Sequence, residues 1–144
     1  GDYDLVSQAA SSFGMTQSFY KVAMRPGKPL MAGFLKGIPI IGLPGNPVSA
    51  MVCGEVFLIP LIQKMLGLPA TPRLRQTGPI GHNLPHNGSR EHYMRAKVKN
   101  GVVFIEDQQD SSLLSILATS DALAVRPKNA EPLQKGSNIE YIPL

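Results

Sequence analysis

The spacing of apolar residues along this chain changes as it proceeds, and the changes outline its elements. Leu5, Ala9 and Phe13 fall on one helical face, which predicts a helix over Asp2–Phe13 with Asp2 as cap and Gly14 at the stop position. Shorter runs follow. Phe19–Met24, Met31–Leu35 and Pro39–Leu43 read as strands, the last two flanking a turn at Lys36-Gly37. Helical spacing returns over Pro47–Leu66, ended by Gly67 and Pro69, and Pro60 is expected to kink this helix or divide it. Helices alternating with apolar, β-branched runs predict an α/β unit over residues 1–68.

Beyond it the pattern loses its long helical period. Pro69–Thr77 has the Pro/Thr/Arg character of a linker or an extended edge segment. Glu91–Val98, Val102–Glu106, Ala122–Arg126 and Asn138–Ile142 then read as short strands, and Asn100-Gly101 between the first two is a two-residue hairpin signal. Residues 69–144 are therefore expected to form a small all-β domain.

Composition narrows the function classes. In 144 residues, 43% are hydrophobic and 17% charged, enough apolar material for a core and too little charge for a disordered chain. The net charge of +4 is spread without a basic run, so no nucleic-acid surface is indicated. Cys53 is the single cysteine, which excludes an internal disulfide, and its apolar helical setting reads as a small buried hydrophobe. The acidic start is unlike a signal peptide. Pro44, Asn46, Glu55, Pro60 and Lys64 are expected to interrupt Ile38–Leu66 as a membrane span, so a cytoplasmic protein without membrane contact is anticipated. Gly1 is not an initiator Met, and the chain reads as a fragment of a longer protein.

Candidate chemistry gathers in two tracts, Met24–Leu30 (MRPGKPL) and Gly42–Ala50 (GLPGNPVSA). Asn46 is a favoured N-cap and Pro47 suits the first helical position. A strand, a tight Gly/Pro turn and a helix start can offer backbone amides to an anion, and Ser49 can add a hydroxyl. The same order also serves as an ordinary turn of an α/β domain, and spacing alone does not choose. Arg25 and Lys28 display two cations on a stiff loop, where little entropy is lost on binding. Asp2 and Asp4 have the spacing of oxygen ligands for Mg²⁺, and equally the place of carboxylates favoured at a helix start. His82, His86 and His92 read as surface residues, because Gly81, Pro85 and Gly88 prevent a helix from aligning them. Met51, Met65 and Met94 read as core filler.

The two tracts resemble the paired signatures of the molybdopterin molybdotransferases, the MoeA family that includes the gephyrin E domain. That family's KPGKP appears here as RPGKP, with Arg25 for the first lysine, and its LPGNPVS is intact. Gly1-Asp2-Tyr3-Asp4 is similar to the end of the family's SGG-x-SxGDYD segment, Arg90–Arg95 to its R-x-x-F-x-R strand, and Gln109–Ser112 to its Q-x-S-S turn. The resemblance covers essentially the whole chain but only the C-terminal part of the family. It implies the back half of a three-layer α/β molybdopterin-binding domain followed by a small β-barrel or β-clip domain. It also implies insertion of molybdate into adenylated molybdopterin with release of AMP, assisted by Mg²⁺ at Asp4. Asp4 and Lys28 would be catalytic; Arg25, Lys28, Pro29, Gly45, Asn46, Ser49, Arg90 and Ser111 would hold the pterin phosphate or the oxyanion. A homodimer is implied, with an adenylyltransferase and molybdoenzyme apoproteins as further partners, and this fragment alone is expected to be inactive. The rival reading is a non-catalytic, gephyrin-like scaffold, which an apolar peptide groove in the β half would favour. Related pterin-binding or competence-damage-type proteins share the α/β unit but lack a β domain such as Pro72–Leu144.

Overall fold

The computed structural model describes residues 5–106 and 119–144. Helix α1 (Leu5–Ser12) ends where the Phe13, Gly14 and Met15 amides close back on Ala9, Ser11 and Ala10. The cap expected at Asp2 lies outside the described residues. Strands β1 (Thr16–Tyr20), β3 (Met31–Leu35) and β4 (Ile38–Gly42) form a three-stranded antiparallel sheet in the order β1-β3-β4. Lys36-Gly37 makes the turn between β3 and β4, as expected.

The strand expected over Phe19–Met24 is instead two. Lys21 adopts φ 71, a left-handed conformation that an extended strand cannot contain. The chain turns there, and Met24–Arg25 becomes β2, which pairs in parallel with β6 (Glu91–Lys99) of the other sheet. That sheet is six-stranded. Its order is β2-β6-β8-β9-β5, with β7 (Val102–Ile105) on β6, where β5 is Gln76–Pro79, β8 Ala122–Arg126 and β9 Asn138–Pro143. β5 takes up the end of the tract expected to be a linker or an extended edge segment, and it lies at the edge of the sheet. It runs antiparallel to β9 and carries Pro79 at its end, where the missing N–H costs little. Asn100 (φ 51) and Gly101 (φ 77) make the hairpin turn between β6 and β7. The sheet curls until Ile80 meets Val103 in a single parallel bridge, and among the described residues it does not close into a continuous barrel.

The long helix is divided near Pro60, through a π-helical turn. α2 (Pro47–Cys53) passes into that turn over Gly54–Leu58 and on into α3 (Ile59–Met65). The wider turn, with the Ile59 amide on the Gly54 carbonyl, accommodates a proline that has no donor and whose ring would crowd a regular α-turn. Pro47–Met65 thus runs for 19 residues with mean hydropathy 1.5, long and apolar enough to cross a membrane by length and composition. The expectation that prolines and charges would prevent such a span is corrected, since neither Glu55 nor Pro60 stops the helix.

Two clusters form the core. One lies within the β half, around Ile80, Val103, Ala124 and Ile139. The other draws Met24, Leu30, Val52 and Cys53 from the first half together with Tyr93, Leu123, Val125 and Ile142 from the second. The cluster thus extends the junction begun by the β2–β6 pairing.

Candidate functional site

That junction is where the RPGKP loop lies. The Lys21 amide bonds the Leu30 carbonyl and the Val22 amide the Lys28 carbonyl, both at 3.0 Å, so the loop folds back on itself. Its base is anchored by Leu30, which is fully buried. The Arg25-Pro26 peptide is cis, and Gly27 adopts φ 108 with its Cα facing Cys53 of α2. The Cys53 thiol donates a long contact of 3.8 Å to the Gly27 carbonyl, and burial pushes its pKa up to about 11. Cys53 is thus the inert packing residue the sequence indicates, seated between the two signature tracts. Lys28 and Pro29 are exposed at the loop's rim.

At the second tract, Asn46 caps α2 with its Oδ1 accepting from the Ser49 amide at 3.1 Å, and the Ala50 amide bonds the Asn46 carbonyl. Pro47 has no amide hydrogen, so this turn has fewer donors left for a ligand than its sequence suggests. Ser49 is buried and Gly45 exposed.

Arg25 faces the β half. Its Nη2 lies 2.6 Å from His92 Nδ1, directly across the β2–β6 register. His92 is only 8% exposed, which corrects its reading as a surface residue. His82 is half-buried, whereas His86 is exposed and lines the adjoining cavity. That cavity, of about 140 Å³, is bounded by Arg25, Leu84, His86, Asn87, His92 and Arg126. Met94 also borders it, Met51 is half-buried, and Met65 is 62% exposed rather than core filler. Burial, followed by the charges of Arg25, Arg126, Arg90 and Arg95, lowers the His92 pKa to about 4.

The far wall is braced by polar groups that sequence reasoning missed. Arg126, 4% exposed, donates through Nη2 to the carbonyls of Pro85, Ala130 and Glu131 at 3.3, 3.2 and 2.6 Å. Asn87 Nδ2 donates to the carbonyls of Arg90, Arg126 and Pro127 at 3.0, 3.2 and 2.6 Å. The available signal was an arginine closing the otherwise apolar strand ALAVR. Among the described residues, ion pairs engage Arg73, Arg75 and Lys97 with carboxylates, and none involves Arg25, Lys28, Arg90 or Arg126. Of these cations Arg25 and Arg126 line the cavity, whose described lining holds no carboxylate, and such a setting suits an anion. Asp4 and Ser111 lie outside the described residues.

Comparison with known proteins bears on the family and the fold. Residues 1–64 match a family described as the probable molybdopterin binding domain, and residues 77–144 match the MoeA C-terminal region (domain IV). The chain is similar to molybdopterin molybdenumtransferase 2 of Mycobacterium tuberculosis, 31% identical over 97% of this chain and 36% of the relative. It is similar to the molybdopterin molybdenumtransferase of Synechococcus elongatus, also 31% identical, over 97% of this chain and 35% of the relative. The chain therefore spans about a third of the length of these curated relatives. Among solved structures, the molybdopterin biosynthesis MoeA protein of Pyrococcus horikoshii shares the fold with a TM-score of 0.82 at 22% identity, covering 97% of this chain and 34% of that one. With both family matches in sequence order and agreement in fold, the chain belongs to the MoeA family and corresponds to its C-terminal part.

Proposed function

We propose that the protein carrying this chain inserts molybdate into adenylated molybdopterin, releasing AMP, and that the cavity between the RPGKP loop and β6 is its oxyanion site. Residues 1–68 would supply the back of the pterin-binding domain and residues 69–144 the small β domain. The observation that carries the reading is that Arg25 and Arg126 line one cavity around His92, with the charge of Arg90 acting on the same ring, and that none of the three has a carboxylate partner among the described residues. Arg25, Lys28 and Arg90 would neutralise the oxyanion, with Pro29 and Ser111 beside it, while Arg126 holds the wall they rest on. Preset cations lower the cost of gathering anionic reactants. Gly45, Asn46 and Ser49 would border the pterin phosphate. Asp4 as catalytic carboxylate and Mg²⁺ ligand rests on the resemblance of its segment alone, as do the homodimer, the adenylyltransferase and apoprotein partners, and a cytoplasmic location. The relatives' names support the substrate class.

The scaffold reading is not favoured. The groove in the β half is lined by Lys97, Lys99 and Glu106 around Phe104 and Ile105, and the more apolar groove lies in the other half, along Phe19, Phe34 and Phe57.

Lys28→Ala tests the assignment. Loss of one charge-assisted contact costs about 1.5–3 kcal/mol, so half-saturation for molybdate should rise about tenfold to a hundredfold while pterin binding changes much less. Unchanged molybdate dependence with pterin binding abolished would reassign the loop to the phosphate.

A further inference from the structure

Where the family has lysine, this chain has Arg25, and the structure supplies that arginine with a partner. We propose that His92 is the positioning residue for the Arg25 guanidinium, accepting its Nη2–H at Nδ1 and so aiming the rest of the fork into the cavity. The inference rests on the oxyanion reading of that cavity.

Three observations carry it. The parallel β2–β6 register places the two residues side by side, which fixes their backbones independently of either side chain. The 2.6 Å separation is that of a hydrogen bond, and arginine has no acceptor, so Nδ1 must be the unprotonated nitrogen and Nε2 carries the ring's hydrogen. Finally, the ring is buried beside cations from every surrounding element. These are Arg25 of β2, Arg90 just before β6, Arg95 within β6 and Arg126 of β8, while the Leu84–Asn87 segment on the same cavity adds the titratable His86 and the amide of Asn87. A protonated imidazole there would repel these arginines, and the burial that lowers the ring's pKa to about 4 keeps it neutral.

The geometry makes arginine and histidine a matched pair. A guanidinium can give one nitrogen to His92 and keep its remaining donors for an oxyanion, held in a plane. Lysine, the usual family residue, has one ammonium centre and must divide it between ring and ligand. Arg25→Lys is therefore not conservative in this chain, although the family pattern alone would make it mild.

The test has two arms. Nitrogen-15 NMR of the His92 ring in the unaltered, ligand-free chain should show the Nε2–H tautomer, neutral at pH 6, with the Nδ1 signal moving in Arg25→Lys. A protonated ring at pH 6, or the Nδ1–H tautomer, would overturn the proposal. In the second arm, molybdate binding is titrated at pH 7.5. His92→Phe should weaken it by about tenfold, the loss expected for one hydrogen bond to a charged group. His92→Asn, whose side-chain oxygen can stand near the Nδ1 position, should restore most of that loss. Equal weakening in both variants would overturn positioning through the acceptor. Failure of the unaltered protein to bind molybdate would overturn the functional reading, while the NMR arm would still decide the pairing.

Discussion

Gly27→Ala probes the seat of the RPGKP loop on α2. Two independent penalties follow from the structure. Backbone φ at 108 is a region that side chains rarely adopt, which costs about 1–3 kcal/mol. An added Cβ would also stand 2.6 Å from the Cys53 Sγ, with Met24 Cε at 3.3 Å, an overpacking that typically costs about 1–3 kcal/mol. Together they predict a loss of about 2–6 kcal/mol in urea unfolding followed by circular dichroism. The terms can be separated, because Cys53→Ala removes the sulfur and leaves the backbone alone. Cys53→Ala by itself should cost about 1 kcal/mol for the small cavity it leaves. Gly27→Ala in that background should then cost only its backbone part, giving a favourable coupling equal to the overpacking term, about 1–3 kcal/mol. Additivity within about 0.5 kcal/mol would refute the contact. A total cost below about 1 kcal/mol for Gly27→Ala would refute the left-handed conformation.

Two further outcomes are expected. His92 has a folded pKa of about 4 against 6.5 for the free ring, so the unfolded chain binds the extra proton between those values. Its contribution, with a ceiling of about 3 kcal/mol, should be complete above pH 6.5 and vanish as pH falls to about 4, and His92→Phe should flatten that part of the stability profile. Arg126→Met leaves the Pro85, Ala130 and Glu131 carbonyls without their donor and should destabilise by about 2–4 kcal/mol, whereas Arg75→Met, at an exposed ion-pair cluster, should cost less than about 1 kcal/mol by the same urea assay.

The parts of the fold written in local chemistry were legible. Asn100-Gly101 announced the β6–β7 hairpin, and Asn46-Pro47 announced the start of α2. What escaped was set by distant residues. Phe19–Met24 has strand composition throughout, yet Met24 joins a core built with Tyr93, Leu123 and Val125, and Lys21 makes the turn that allows it. β5 was legible only as one of two alternatives, because the Pro- and Thr-rich composition that suits a linker also suits an edge segment, and pairing with β9 decides between them. Of the proposed site, Arg25 and Lys28 could be picked out from the sequence because a stiff cationic loop is itself a signal. His92, Asn87 and Arg126 were not, because their worth lies in burial and in carbonyls supplied by segments remote in sequence.

Among the described residues, the shortest strand is the one expected to form its pairing late. β2 is a two-residue strand, and the contact it brings, Arg25 to His92, spans 67 residues. The β3–β4 and β6–β7 hairpins need only tight turns to close and can form early, while β2 pairs only once the long span between it and β6, with the β3–β4 hairpin and the long helix inside it, has been closed. The cationic cavity is therefore a late event of folding, absent from any intermediate in which the hairpins and the long helix stand apart. Because its cations gather only in the finished chain, an oxyanion would select the fully folded molecule from such intermediates and act as a ligand-borne check on completion.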